Sequence, residues 1–324
     1  MKPKILLGQW VPEECVAPYR NAYDFCFPDA EKIAFSYEEV LEQIDQYDAY
    51  LVIANKGDRE VIQRGTRLKA IANFGVGYDN IDWKYATEVG LPVINAPTTV
   101  TEATAEHAVA LIMSVMRGVA RHDREIRRGE WKSPLFSDMD LELHGRVLGI
   151  MGFGRIGKMV CRKAQGLGMK VVYYDTFRAT PEVEKEYGVT YLPFDEVLAQ
   201  SDCITLHMPF TQENYHLFNL DTLRKMKPTA YLVNAARGPI LCEKDLAKAL
   251  REGIIKGAAL DVVEQEPKPD PELLELDNVT LTPHIASCTM KTRMAMCVEA
   301  LQGLMAVIEG RQPYNTVNPS VYKK

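Results

Sequence analysis

A chain of 324 residues and 36.5 kDa is long for one small core and points to two compact units. With 38 Lys plus Arg against 44 Asp plus Glu, the net charge of -6 supplies no basic surface for nucleic acid, so small molecules or copies of the same chain are the expected partners. The only apolar run near the start is Ile5 to Leu7, no run of about 18 apolar residues follows, and the seven cysteines form no C-x-x-C pair, which together predict a cytoplasmic protein without a signal peptide, membrane span, disulfide framework or zinc site.

Short apolar runs, "KILL" from Lys4, "AYLVI" from Ala49, "KAIAN" from Lys69 and "PVIN" from Pro92, leave room for a helix between them, the rhythm of a parallel sheet. From Thr101 to Gly129, Ala105, Ala108, Val109, Ile112, Met113, Val115 and Met116 follow helical spacing and predict one long helix bridging two domains. A second series begins at "RVLGIM" from Arg146 and continues through "KVVYY", "DCITL", "TAYLVN", "KGAAL" and "NVTLT" from Asn278, giving a second, larger doubly wound unit. Thr289 to Gly310 is again helical; Met290, Met294, Met296 and Met305 read as core packing, and the helix would carry the chain back to complete the first domain. Two domains imply a cleft.

"GFGRIG", Gly152 to Gly157, fits G-x-G-x-x-G. The match is weak alone, but it follows an apolar strand, opens a helix, and precedes a second strand that ends at Asp175, eighteen residues past Gly157. Gly152 permits the tight turn, Gly154 brings the backbone against a pyrophosphate, and Gly157 lets helix and strand approach. Free amides at the helix start, at Arg155 and Ile156, receive the negative charge. Asp175 would accept the adenosine ribose hydroxyls and repel a 2′-phosphate, which predicts NAD; Arg178, three residues on, could hold that phosphate if its loop turned back.

Three motifs then sit at the C-terminal ends of predicted strands, where open α/β sheets place ligands: "NAARGP", "ALDVVEQEP" and "LTPHIAS". They supply Arg237, Asp261, Glu266 and His284. A single histidine beside apolar neighbours is most simply a packed residue, and a single charge most simply a surface ion pair. Three such strand ends in one nucleotide-binding domain favour a shared site.

On these motifs, together with "GVGYDNID" from Gly75 and the tail "NTVNPSV", the chain resembles the D-specific 2-hydroxyacid dehydrogenase family over nearly its whole length. The ordered Arg, Glu and His, 29 and 18 residues apart, carry most of that resemblance. It implies an α/β fold of two doubly wound parallel-sheet domains: a Rossmann NAD-binding domain, 100–287, inserted in a flavodoxin-like substrate domain, 1–99 plus 288–324. The implied reaction moves a hydride between NADH and a small 2-oxo acid to give a D-2-hydroxy acid, with glyoxylate or hydroxypyruvate first among substrates. A 3-phosphoglycerate dehydrogenase is the alternative within the family, and a non-enzymatic, NAD-sensing co-repressor-like protein the alternative outside it.

By the same resemblance Arg237 holds the substrate's carboxylate and keto oxygen, His284 is the general acid/base, and Glu266 orients the imidazole. These residue types suit those tasks: histidine exchanges a proton near neutral pH, and a guanidinium fork reaches two oxygens at once. The Val76 and Gly77 amides would bind the carboxylate, Asp261 would contact the nicotinamide carboxamide, and Thr104, Met208 and Ala235 would line the cofactor pocket. A homodimer through the helix after Thr101 and the loop around Trp131 is implied as well. The sequence departs from the family at Asn55 and Lys56, where Lys56 is either a solvated side chain or a reader of a polar substrate group, and in the Thr-rich "PTTVTEATAEH", to which the sequence assigns no role.

Overall fold

Five parallel strands form the first sheet: β1 Lys4–Leu7, β2 Asp24–Cys26, β3 Ala49–Val52, β4 Ala70–Asn73 and β5 Val93–Ile94, in the order β2-β1-β3-β4-β5. This is the flavodoxin-like order. Both faces are covered, which is why the strands read as continuous apolar runs and not as alternating ones. Ile5, Leu7, Ala49 and Leu51 face a core completed by Cys297, Ala300, Leu301, Leu304 and Met305 of the returning helix Met290–Ile308. Leu6, Tyr50 and Val52 face the other way, onto Val40, Ile44 and Val61. Among the helix's other methionines, Met296 is buried, Met294 packs at the edge of the core and Met290 is exposed. The edge strand β2 has only three residues, too few to register as a periodic run.

Seven parallel strands form the second sheet: β6 Val147–Met151, β7 Lys170–Tyr174, β8 Thr190–Tyr191, β9 Cys203–Leu206, β10 Tyr231–Asn234, β11 Gly257–Leu260 and β12 Val279–Leu281, in the order β12-β11-β10-β9-β6-β7-β8. The order reverses between β6 and β9, the crevice in which doubly wound sheets bind dinucleotides. Leu148 and Ile150 pack on one side with Ala105, Ala108 and Ile112 of the helix Thr101–Met116, while Met151, Ile204 and Leu206 pack on the other with Leu246 and Leu250.

The chain divides into two compact units, Met1–Val100 with Cys288–Lys324, and Thr101–Ser287. The computed structural model describes residues 1–131, 136 and 139–323, so most of the loop after Trp131 lies outside the described residues. The single long helix expected from Thr101 to Gly129 is two helices, Thr101–Met116 and Val119–Arg127. Gly118 separates them at φ 60°, a left-handed conformation that ends a helix whatever the side-chain spacing beyond it. No described helix is long and apolar enough to cross a membrane, and no cluster of three or more potential metal ligands occurs among the described residues.

Candidate active site

The nucleotide turn follows from two glycines. Gly152 has φ 97°, and a Cβ there would lie 2.7 Å from the Met208 amide nitrogen just past β9. A Cβ on Gly157 would lie 2.2 Å from the Gly152 carbonyl oxygen. Strand, turn and helix therefore approach at van der Waals distance only because neither position has a side chain. Gly154 is the N-cap of the helix Arg155–Gly166 and has no side-chain acceptor over its first turn, with open space where its Cβ would stand. Arg155 is exposed there and Ile156 packs below against the core. An uncapped helix start with free amides fits the pyrophosphate of NAD. Asp175, just past β7, ties the turn down: Oδ2 accepts from the Phe153 amide at 2.7 Å and Oδ1 from the Phe177 amide at 3.0 Å. Thr104 is buried near the start of its helix, and Met208 and Ala235 follow β9 and β10, Ala235 buried and Met208 half-buried.

Three neighbouring strand ends carry the charged residues. The register aligns Asn234 with Leu260 and Leu260 with Leu281, so the turns after β10, β11 and β12 emerge side by side. Asn234 is fully buried; its amide donates to the Arg237 carbonyl at 2.9 Å and its oxygen accepts from Ala236 N at 3.0 Å, which shapes the arginine's turn. The next residue must be glycine, because a Cβ on Gly238 would lie 1.9 Å from the Val263 carbonyl. Arg237 Nη1 donates to the Ala236 carbonyl at 2.7 Å. The loop after β11 is anchored by the buried Glu243 carboxylate, which accepts from the Glu264 and Asp270 amides, and by His216 Nε2 at 2.8 Å from Glu264. That anchored loop presents Glu266.

His284 Nδ1 lies 2.9 Å from Glu266 Oε2, with both side chains about half exposed. The imidazole sits on a residue at φ 53° whose amide donates to the Asp261 carbonyl at 2.7 Å. The Asp261 carboxylate, 1 % exposed, accepts from the Thr282 hydroxyl at 2.6 Å and from the Ile285 and Ala286 amides at 2.9 Å each, and meets His107 Nε2 at 3.2 Å. Burial pushes this carboxyl upward, but His107, Thr282 and the two amides outweigh it and hold the group below the ordinary aspartate value. Asp261 thus fixes the turn that carries His284. Its partner His107 escaped the sequence reading because nothing local links residues 107 and 261.

The first unit holds Val76 and Gly77 in the loop after β4. Ala96 N donates to the Gly75 carbonyl at 3.1 Å, Asn95 Nδ2 to the Val76 carbonyl at 2.8 Å, and Asn73 Nδ2 to the Gly77 carbonyl. Asn80 Nδ2 donates to Asn73 Oδ1 at 3.0 Å and so fixes which end of the Asn73 amide faces the loop. In a trans peptide the N–H points opposite its carbonyl. The amides of Val76, Gly77 and Tyr78 therefore each point away from the donor that holds the preceding carbonyl, and none has an acceptor among the described residues. Asn73 and Asn95 were missed in the sequence; each stands at or just past the C-terminal end of a strand, and that position was the available signal. At the neighbouring strand end Lys56 is exposed, and Asn55 Nδ2 donates to the Phe35 carbonyl at 3.1 Å.

Residues 109–286 match the family model described as D-isomer specific 2-hydroxyacid dehydrogenase, NAD binding domain. The chain is 41 % identical over 332 residues to a glyoxylate reductase of Korarchaeum cryptofilum, covering 100 % of this chain and 98 % of that one. Among solved structures, a glyoxylate reductase from Paecilomyes thermophila superposes with a TM-score of 0.85 at 31 % identity, covering 98 % of each chain. An NAD-complexed D-isomer specific 2-hydroxyacid dehydrogenase from Lactobacillus delbrueckii ssp. bulgaricus gives 0.78 at 26 % identity, covering 97 % of this chain and 100 % of that one. With its flavodoxin-like and Rossmann sheets, its glycine turn and a His–Glu pair on adjoining strand ends, this chain belongs to the D-isomer specific 2-hydroxyacid dehydrogenase family.

Proposed function

We propose that the chain reduces a small 2-oxo acid with NADH to the corresponding D-2-hydroxy acid, with glyoxylate as the preferred substrate. The His284–Glu266 contact of 2.9 Å, on a turn fixed by Asp261, is the observation that carries this reading. Bound NADH supplies the hydride for the keto carbon. His284 delivers the proton to the keto oxygen from Nε2, because Glu266 occupies Nδ1 and so fixes the tautomer and the ring plane. Arg237 offers its guanidinium fork to the substrate's carboxylate and keto oxygen. The Val76 and Gly77 amides are assigned to the carboxylate as well, since their carbonyls are tied back and their N–H groups are free.

Gly152, Gly154, Arg155, Ile156 and Gly157 are assigned to the pyrophosphate, Asp175 to the adenosine ribose, and Thr104, Met208 and Ala235 to the pocket walls. The four donors on the Asp261 carboxylate give it a share in the nicotinamide end through the turn that it holds. The glyoxylate preference is supported by the names of the relatives that match over the full chain. We assign the protein to the cytoplasm as a homodimer, on the family resemblance and on the exposed apolar side chains Val119, Ile126 and Trp131. The deciding experiment follows NADH oxidation over glyoxylate, hydroxypyruvate, pyruvate, a branched 2-oxo acid and 3-phosphohydroxypyruvate. Highest kcat/KM with glyoxylate, and D-glycerate from hydroxypyruvate, are expected. A preference for the phosphorylated acid would reassign the substrate, and tight NADH binding without turnover of any acid would leave a binding protein.

A further inference from the structure

The loop between β7 and the helix Pro181–Tyr187 holds one basic side chain, Arg178, three residues after Asp175. A cation at this place on a nucleotide fold is the group that receives a ribose 2′-phosphate. Here its guanidinium is committed elsewhere: Nε and Nη2 donate to the two oxygens of Glu184 at 2.8 and 2.9 Å. Glu184 is held in turn. The hydroxyl of the fully buried Tyr173 donates to Glu184 Oε1 at 2.8 Å while accepting from the Ala179 amide at 3.0 Å, which clamps carboxylate and loop together. The Glu184 side chain is 14 % exposed and that of Arg178 61 %, so the acceptor is the more enclosed partner. The Arg178 guanidinium also lies 5.2 Å from the centre of the Tyr191 ring.

We infer that Glu184 is a cofactor-specificity residue: by fixing Arg178 through a two-pronged contact it withholds from a 2′-phosphate the only cation of the ribose loop. Exclusion of NADPH then rests on two carboxylates, Asp175 by repulsion and Glu184 by sequestration. The inference depends on Asp175 receiving the adenosine ribose. It is tested by dissociation constants, without turnover, for NADH, NADPH, 5′-AMP and 2′,5′-ADP in wild type, E184Q, R178A, the double variant and D175A.

In E184Q, NADPH and 2′,5′-ADP should bind about tenfold tighter, the worth of one charge-assisted contact, while NADH and 5′-AMP stay within about twofold. The gain should vanish in E184Q/R178A. Unchanged NADPH affinity in E184Q, or a gain that survives loss of Arg178, overturns the assignment. If E184Q does not fold, R178A decides: unaltered NADPH affinity supports the latch, and weakened affinity overturns it. Should NADH binding be indifferent to D175A, the ribose placement falls and takes the latch with it; weakening in D175A beside a silent E184Q sinks the latch alone.

Discussion

His284 and Glu266 are separated by 18 residues in the chain and 2.9 Å in space. That they would share one site was legible in the sequence because each stands in a motif just past a strand, and parallel strand ends must emerge on one edge of the sheet; the roles proposed for them come from the family resemblance. Replacing the imidazole tests the proton-transfer role directly. His284→Ala should lower kcat by roughly 10² to 10⁴ with NADH affinity nearly intact, since general acid help is worth about that much. Steady-state rates beside NADH titration check this, and full turnover in the variant would remove His284 from the chemistry. Asp261 was less legible. The family resemblance implied a cofactor contact, and only the fold reveals two amides, a hydroxyl and His107 converging on its oxygens.

Among elements, the loop from Gly75 to Tyr78 is proposed to act through its backbone. Its sequence promised a glycine-rich turn, but which way each peptide faces depends on Asn73, Asn95 and Ala96 holding the carbonyls of Gly77, Val76 and Gly75. Asn95→Ala leaves the Val76 carbonyl without its donor and frees that peptide to rotate. KM for 2-oxo acids should rise about tenfold, more than kcat falls, with the Kd for NADH unchanged. A variant that loses kcat and NADH affinity together would instead mark Asn95 as a residue of general packing. The helix after Thr101 gives the opposite lesson. One helix was expected to run on to Gly129, yet one glycine in a left-handed conformation divides the stretch after Met116.

At the scale of the whole molecule, the Thr-rich stretch without an assigned role finds its partner 200 residues away. The buried Glu299 carboxylate accepts from the Thr98 and Thr99 hydroxyls, from both their amides, and from the Tyr314 hydroxyl, binding the end of the first chain segment to the returning helix and the tail. Burial raises this carboxyl, but the donors of Thr98, Tyr314 and Thr99 outweigh it and leave it below its ordinary 4.5. The sign follows: a folded value below the unfolded one gives stability that is full above 4.5 and lost as the pH falls through the lower folded value. Asp261 contributes in the same direction. The part of the urea midpoint that these two carboxyls supply should therefore hold level above about pH 5 and fall below it, and Glu299→Gln should lower the midpoint at neutral pH while flattening the acid limb. An acid limb as steep in the variant as in wild type would refute this account. His122, between Glu125 and Asp140, is raised above 6.5 and acts oppositely, its contribution present below that value and fading as the pH climbs through the folded one.

By itself the sequence determined the two parallel sheets, the glycine turn for a dinucleotide, and the arginine, glutamate and histidine offered at strand ends. Each of these is written in patterns a few residues long, where strand periodicity or the absence of a Cβ acts locally. Tertiary structure alone decided that Arg178 turns to Glu184, that Asn95 holds the Val76 carbonyl, and that Glu299 gathers Thr98 and Thr99. A polar side chain takes whichever partner the packed core brings within about 3 Å of it, and that partner is chosen by how helices and strands assemble, not by its neighbours in the chain.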